Sequence, residues 1–503
     1  MALLNLFNRN NTKPEVEPMY STLPYSASII SNWLASKERK EMILGQQYYD
    51  GEHDILNRQR TVIDEYGYPT PVQNIPNNRI VNNQYRKMVD QKTNYALGKP
   101  PTITTANETY LEELQKIFTK KVFMQLRRLG MEAIIGGIAW LYPYYGTDGT
   151  FKFRVFPAHE VLPIWEDESH TNLIEALRIY SDNVIRPDGR TQEVTVIERY
   201  STEGIDRYIL DGNKVIPYDN EPHADYMQVD DKAYNWTRIP LIPFKYNSKE
   251  IPLIRNVKTL QDSLNLALSD FQNNLEEDPR NSIIVLKNYD GTDIPSFRRN
   301  LATYGVVKVH TIDGVQGGVE ILKTEVNPTN FQTLLQEYKR GIMENGYGFD
   351  AKEERMDGDP NQMNIESMYT DIDLDVNGME SEFQVGFEEL IWFINKYLET
   401  AGKGDFSEEK VEFIFNRDIF INEDAIIDNC VKSVGILSDK TIVARHPWVP
   451  DLQRELDMLE EQKEEEKKEM EELNGFNGAG VAAVKNTNNQ NSNGKKVNSD
   501  VDG

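Results

Sequence analysis

Asp371, Asp373 and Asp375 alternate along one stretch, and a second polar series, Asp357, Asp359 and Asn361, lies just upstream. Carboxylates at this spacing are the raw material of a calcium loop or of a metal-dependent nuclease. An EF-hand loop needs glycine one residue after the third ligand, and the chain has Val376 and Gln362 there. On a helix, Asp373 would also point away from the face shared by Asp371 and Asp375. The expectation is therefore a solvated helix face, with inter-subunit ion pairing as the next reading and a nuclease using Asp371 and Asp375 as the enzymatic alternative. The six histidines, His53, His159, His170, His223, His310 and His446, are scattered, and none sits in HExxH or beside a cysteine pair. No phosphate-cradling GxxxxGK[ST] loop occurs, which argues against a nucleotide-driven motor within this chain. No catalytic residue, metal or cofactor is expected, and the chain reads as a non-enzyme.

The densest charge in an otherwise unpatterned stretch is Asp350, Lys352, Glu353, Glu354, Arg355 and Asp357, in a segment from Tyr347 to Met363 that follows Gly346 and contains Gly358 and Pro360. With almost no apolar anchor it reads as an exposed, mobile loop. It is either an ordinary surface loop or, in a ring, a set of circles of like charge around an axial channel. Only its flanking helices favour the second reading.

Those helices are marked by periodicity. Leu253, Val257, Leu260, Leu264, Leu268, Phe271 and Leu275 recur every three or four residues, which predicts a rod roughly 35 Å long. It stops at Glu276, Glu277, Asp278 and Pro279, where acidic charge opposes the helix dipole and proline cannot continue the ladder. A return helix carries Phe331, Leu334, Leu335, Tyr338, Ile342 and Met343, with the basic pair Lys339 and Arg340 beside them. Between the two, residues 280–327 carry β-branched runs at Ile283 to Leu286, Val306 to Val309 and Val319 to Leu322, and a short helix near Pro295 to Leu301. After the loop, Ile365, Met368, Ile372, Val376, Met379, Phe383, Phe387, Leu390, Ile394 and Tyr397 predict one very long helix, apolar on one face for roughly 50 Å. Neither rod can bury its stripe alone, so the chain is expected to stand beside copies of itself. Val257, Leu260, Leu264, Leu268, Phe271, Phe331, Leu335, Tyr338 and Ile342 are the expected inter-subunit contacts, each worth roughly 1.5 to 3 kcal/mol on burial.

Composition bounds the rest. The chain has 503 residues, 39% of them hydrophobic, enough for a sizeable core and several domains. A formal charge of -26 disfavours a tight non-specific grip on nucleic acid, because such binding is driven by Lys and Arg displacing counterions. A duplex partner must be one the protein touches without holding. The lone Cys430 fits a reducing compartment. Neither a signal peptide nor a membrane span is expected, since the apolar run at Met131 to Tyr145 is short and carries Glu132 and Pro143.

Residues 1–23 read as a loose arm. Helices are predicted near Ser28 to Tyr49, Asn82 to Ala96, Asn107 to Phe118 and Lys121 to Ile135, the second closed by Gly98 and the last broken at Gly136 and Gly137. The period then changes to two, with a hairpin of Ile138 to Tyr145 and Phe151 to Phe156 about Asp148-Gly149, and further strands at Glu175 to Tyr180, Val194 to Tyr200 and Arg207 to Leu210. This half is one α+β domain. A strand at Val411 to Phe415 and helices near Glu423 to Val434 and Ser438 to Arg445 follow. Then comes an acidic solvated helix at Asp451 to Leu473, and a tail from about 475 that reads as disordered.

Val89 to Pro101 (VDQKTNYALGKPP), Ile242 to Asn247 (IPFKYN), Val285 to Gly291 (VLKNYDG), Ala401 to Phe406 (AGKGDF) and Val443 to Pro450 (VARHPWVP) together resemble the portal proteins of siphophages infecting Gram-positive hosts. The similarity runs from about Ser28 to Leu473. It implies an α+β, multidomain portal fold with long stem helices, a small α/β clip insert, an α+β wing and a mostly helical crown. By that analogy residues 1–23 are an arm, 24–250 the wing, 251–278 and 328–346 the stem helices, 279–327 the clip and 347–363 the tunnel loop nearest DNA. Residues 364–422 are then the long wing helix and return strand, 423–474 the crown and 475–503 the tail. The family's tunnel loop is often glycine-rich and less charged, and Lys352, Glu353, Glu354 and Arg355 depart from that.

The resemblance implies a ring, twelve subunits in the virion, at one capsid vertex. Its partners would be viral double-stranded DNA, the terminase, a head-completion adaptor, scaffold and the major capsid protein, with no membrane and no cofactor, after assembly in the host cytoplasm. Lys339, Arg340, Lys352 and Arg355 could then make transient phosphate contacts. The remaining alternative is another ring-forming connector or adaptor, a class usually far shorter than this chain.

Overall fold

A computed structural model describes residues 27–63, 66–71, 76–146, 148–185, 191–212, 214–218, 222–229, 232–277, 283–287, 318–322, 328–349, 362–417, 423–446, 448–449, 455–456, 458–464 and 467. The chain divides into two units, one of residues 1–354 and 366–419, the other of residues 355–365 and 420–503.

In the larger unit the first predicted helix is two helices, α1 (Ala27–Ala35) and α2 (Lys37–Asp50). Ser36 separates them and caps α2, its Oγ accepting the Arg39 N–H at 3.1 Å. A hairpin absent from the sequence reading, β1 (Thr61–Ile63) with β2 (Pro69–Pro71), precedes α3 (Gln84–Leu97) and β3 (Thr102–Thr104). Asn107 caps α4 (Glu108–Ile117) as its position predicts, accepting the Tyr110 N–H at 3.1 Å. α5 (Lys120–Gly136) ends at Gly137, whose φ of 83° and 2.1 Å approach between a built Cβ and the Glu250 carbonyl oxygen leave no room for a side chain.

The predicted hairpin is β4 (Ile138–Tyr145) and β5 (Phe151–Pro157), paired antiparallel. The three later predicted strands run longer than expected, as β7 (Leu173–Ile185), β8 (Thr191–Ser201) and β9 (Gly204–Asp211), and with β6 (Val161–Trp165) and β10 (Lys214–Pro217), which were not expected, they form an antiparallel meander in the order β10-β9-β8-β7-β6. β11 (His223–Ala224) adds to β9, β12 (Met227–Val229) pairs with β13 (Lys232–Tyr234), and β14 (Ile242–Lys245) joins β4 to give a second sheet, β14-β4-β5. Trp140 of β4 and Phe244 of β14 are fully buried.

α6 (Ile254–Glu277), the antiparallel pair β15 (Ile283–Lys287) and β16 (Gly318–Leu322), α7 (Pro328–Asn345) and α8 (Gln362–Thr400) follow as periodicity predicts. β17 (Glu412–Ile414) pairs with β3. Phe383, Phe387, Leu390 and Ile394 of α8 are buried, and Phe244 meets Phe383 and Phe387 edge-on at 5.0 and 5.4 Å. In the smaller unit α9 (Glu423–Lys432) carries the buried free Cys430, and α10 (Asp439–Arg445) is capped by Ser438. The expected strand at Val306 to Val309, the helix near Pro295, the arm 1–23, the tail from 475 and most of the acidic segment from Asp451 lie outside the described residues.

The structure corrects the expectation about the paired rods. Val257, Leu264 and Ile342 have no exposed surface, so they are not free to meet a neighbouring subunit. Leu260, Leu268, Leu335 and Tyr338 pack half-buried against the same core, and Phe271 stacks on Phe331 at 3.9 Å. The physical reason is that α6 and α7 run antiparallel, with Leu260 beside Gly341 at one end and Phe271 on Phe331 at the other, so each covers the other's stripe. The apolar side chains that remain exposed on these rods are Leu266, Leu275 and Leu334.

A second face of α6 holds a surprise. Gln261, Asn265, Ser269 and Asn273, four residues apart, are buried, and their side-chain oxygens accept backbone N–H groups from the extended segment before α3 and from the first residues of that helix. Asn273 takes Asn78 at 2.7 Å, Ser269 takes Ile80 at 2.9 Å, Asn265 takes Asn82 at 2.9 Å, and Gln261 takes Gln84 and Tyr85 at 3.0 Å. Four helical residues advance about 6 Å and two extended residues about 6.6 Å, close enough for a helix to act as the missing strand.

Candidate functional site at the base of the charged loop

α3, the end of α7 and the first turns of α8 converge where the charged loop begins. At the close of α7, Gly348 N–H donates to the Met343 carbonyl at 2.8 Å and Gly346 N–H to that of Ile342 at 3.0 Å. A Cβ on Gly346 would lie 2.1 Å from the Met88 sulfur of α3, so the turn sits directly on that helix. Tyr347 between the glycines has a φ of 53°.

Gln91 of α3 then binds Phe349 as a strand partner would. Its Nε2 donates to the Phe349 carbonyl at 2.7 Å, and its Oε1 accepts the Phe349 N–H at 3.0 Å. The Phe349 ring, only 9% exposed, stacks on Tyr369 of α8 at 4.4 Å, and Tyr369 stacks on Tyr95 of α3 at 5.7 Å. The loop thus has the apolar anchor that its composition did not reveal.

Beneath this stack Lys92 is completely buried and ion-paired with Asp375, which also accepts the Tyr246 hydroxyl at 2.7 Å. The Lys92 ammonium lies 5.8 Å from the centroids of both the Tyr246 and Tyr347 rings. Burial pushes the lysine pKa down and the Asp375 carboxylate opposes that shift; burial beside the same carboxylate drives the Tyr246 phenol well up. Two residues earlier, Asp373 accepts Tyr95 Oη at 2.6 Å and Arg417 Nη1 at 2.8 Å, and Arg417 also reaches Asn377 and Glu380.

These contacts overturn the solvated-face expectation for two of the three aspartates. Asp371 is exposed, whereas Asp373 and Asp375 are held by the chain's own Lys92, Tyr95, Tyr246 and Arg417. Asp373 accepts both of its donors on Oδ1 and Asp375 both of its donors on Oδ2, and among the described residues no group of three or more potential ligands is arranged to hold a metal ion. The sequence reading missed Gln91, Lys92, Tyr95 and Arg417. The signal that pointed at the first three was Val89 to Pro101, where a lysine stands on a helix between apolar residues; nothing pointed at Arg417.

Of the other candidate residues, Lys339 and Arg340 are exposed on α7, Arg340 pairing with Glu344 at 2.8 Å. Asp350, Lys352, Glu353, Glu354, Arg355 and Asp357 lie outside the described residues. The structure brings the loop's first residues onto α3. Among the described residues no helix is long and apolar enough to cross a membrane.

Residues 34–469 match the family described as phage portal protein, SPP1 Gp6-like. The portal protein of Bacillus phage SPP1 is 29% identical over 442 residues, 86% of each chain, and that of Clostridium phage phiCD119 is 27% identical over 441 residues, 84% of this chain and 93% of the relative. Among solved structures, a chain in the neck of a native GTA particle matches at a TM-score of 0.36 and 11% identity, covering 73% of this chain and 89% of that one. A chain in the neck of an empty GTA particle matches at a TM-score of 0.39 and 12% identity, covering 72% and 88%. The chain belongs to the SPP1 Gp6-like family of phage portal proteins. It is a structural component of the phage capsid vertex, with a part in packaging the viral genome.

Proposed function

We propose that copies of this chain close into a ring, twelve in the assembled virion, and conduct double-stranded DNA through one capsid vertex. In this reading the terminase packs the genome through the ring, which then retains it, joins head to tail through a head-completion adaptor and releases DNA at ejection. Residues 24–250 with 364–422 form the wing, 251–278 and 328–346 the stem, 279–327 the clip that meets terminase and adaptor, and 423–474 the crown. Assembly takes place in the host cytoplasm beside scaffold and major capsid protein.

The observation that carries the conduit reading is the tether at the loop's base: Phe349 clasped by Gln91, and α8 pinned to α3 through Lys92 and Asp375. A loop that touches a sliding duplex must be held firmly where it leaves the scaffold and bear charge that does not grip. Asp350, Glu353, Glu354, Asp357 and Asp359 outnumber Lys352 and Arg355 there. Excess negative charge keeps phosphate contacts weak, so that no step of translocation requires breaking many Lys or Arg contacts. Lys339 and Arg340 supply transient contacts, and Leu266, Leu275 and Leu334 are the apolar side chains available to a neighbour in the stem.

Mass photometry and negative-stain microscopy of the purified full-length chain test this. Rings with an open centre are expected. A stable single copy at micromolar concentration sinks the reading.

A further inference from the structure

A closed ring of identical subunits needs two different, complementary patches on each copy, one for each neighbour. The larger unit carries two clefts of opposite charge on opposite sides of α8. The first, about 1000 Å³, opens over the outer face of α8 between Trp165, Ile174 and Arg238. Its rim carries Glu388, Glu389, Glu399, Asp405 and Glu409 against Arg238 and Lys396. Val385 and Ile174 stand in it 63% and 51% exposed. Arg238 lies over the Trp392 ring at 4.6 Å and pairs with Glu389 at 2.6 Å, so the cleft floor is already ordered.

The second lies at the far end of the buried side of α8, where Tyr397 and Leu398 meet α5 and β5. It measures about 510 Å³ and is rimmed by Lys116, Lys121, Lys152 and Lys403 against a single carboxylate, Glu113. A neighbouring hollow of about 290 Å³ continues it past Gln125, which lines both, to Arg128 and Arg154, with Glu160 there paired to Arg178. Gln125 bridges the seam, donating to the Phe153 carbonyl at 3.0 Å. Met124, 73% exposed, stands beside the groove on α5. Among the described residues Lys121, Lys403 and Arg154 on this side, and Glu388 on the other, make no ion pair.

We propose that the acidic cleft over α8 of one copy receives the basic α5–β5 groove of the next, making this pair of faces the lateral contact of the wing. The occupant is a second copy of this chain because both halves of the charge match occur on it, on opposite sides of one helix, in a protein whose overall charge of -26 makes any basic surface exceptional. Exposed apolar residues inside a charged rim match the anatomy of a protein interface. Rim charges of this kind set register and the rate of association more than total affinity. The proposal rests on the ring reading above and adds which surfaces meet.

Charge reversal in the full-length chain tests it. Glu388→Lys with Glu399→Lys makes both clefts basic, and Lys121→Glu with Arg154→Glu and Lys403→Glu makes both acidic. Each variant alone is expected to assemble at least about tenfold less readily than the unmodified protein at low salt, by mass photometry. A 1:1 mixture should recover rings, because alternating copies restore opposite charge at every contact. Melting curves establish that each variant is folded. If a reversal does not fold, Glu388→Gln and Lys121→Gln replace it, with weaker assembly and a shallower salt dependence expected.

Rings that persist in both reversals, a mixture that fails to recover, or an unchanged salt dependence overturn the proposal. In the first case the groove belongs to another partner, which a labelled glutamate-rich peptide or a short oligothymidylate would reveal. Failure of the unmodified protein to form rings is a different result, and removes the functional reading itself.

Discussion

Gln91 and Phe349 exchange two hydrogen bonds, side-chain amide against backbone peptide, and so tie the start of the charged loop to α3 across 258 residues of sequence. Replacing Gln91 by Leu leaves a buried N–H and carbonyl without partners, at about 1 to 3 kcal/mol for each group. Amide exchange at Phe349 should accelerate by at least tenfold while exchange in the middle of α8 is unchanged. Equal protection in both proteins would show that the clasp contributes nothing.

Lys92 and Asp375 are a buried ion pair, and such pairs punish the loss of one partner more than the loss of both. Lys92→Met should destabilise the chain by about 3 to 5 kcal/mol, since it strands the Asp375 carboxylate with the Tyr246 hydroxyl alone. Adding Asp375→Leu should recover part of that. A double-mutant cycle in urea is the measurement, and strict additivity of the two changes is the outcome that contradicts the pair's role.

The polar ladder of α6 makes a separate prediction. Gln261 accepts two backbone N–H groups, those of Gln84 and Tyr85, so Gln261→Leu should cost roughly 2 to 5 kcal/mol although it makes the helix more apolar. Thermal melting reads the change. A variant as stable as the parent would mean that water replaces the amide.

His53 gives the pH dependence. Asn265 Oδ1 is occupied by Asn82 N–H and Gln261 Nε2, so its Nδ2 must donate, at 2.8 Å, to an unprotonated His53 Nδ1, while His53 Nε2–H donates to the Tyr48 carbonyl at 3.1 Å. Burial holds this imidazole below its ordinary value of 6.5, against the opposing pull of Asp262 and Asp54; Lys258 lies close by, paired to both. The unfolded chain therefore binds the proton more readily. The contribution is complete above about pH 6.5 and declines as the pH falls below it. Denaturant midpoints from pH 7.5 to 5 should fall, and the fall should be shallower in His53→Asn, whose amide oxygen can still accept from Asn265. Identical slopes would remove His53 from the account.

Much of the architecture is local and was legible as such. α6, α7 and α8 follow from apolar residues at three- and four-residue steps, the β4–β5 hairpin from Asp148-Gly149 between alternating runs, and the start of α4 from Asn107 as a cap, because each is decided within a few residues of chain. The resemblance carried by Val89 to Pro101 and the other segments was likewise a property of the sequence, and the match to a portal family agrees with it.

Long-range partners were not legible. Asp373 and Asp375 read as solvent-facing until Lys92, Tyr95 and Arg417, none of them close in sequence, were brought against them. Gln261, Asn265, Ser269 and Asn273 could not be singled out from sequence, because a polar side chain carries the same signal whether water or a peptide N–H satisfies it. The apolar stripes of α6 and α7 announced that they must be buried, but not by what. Hydrophobic burial has no direction of its own, and only the antiparallel approach of the two rods decided that the chain covers much of that surface itself.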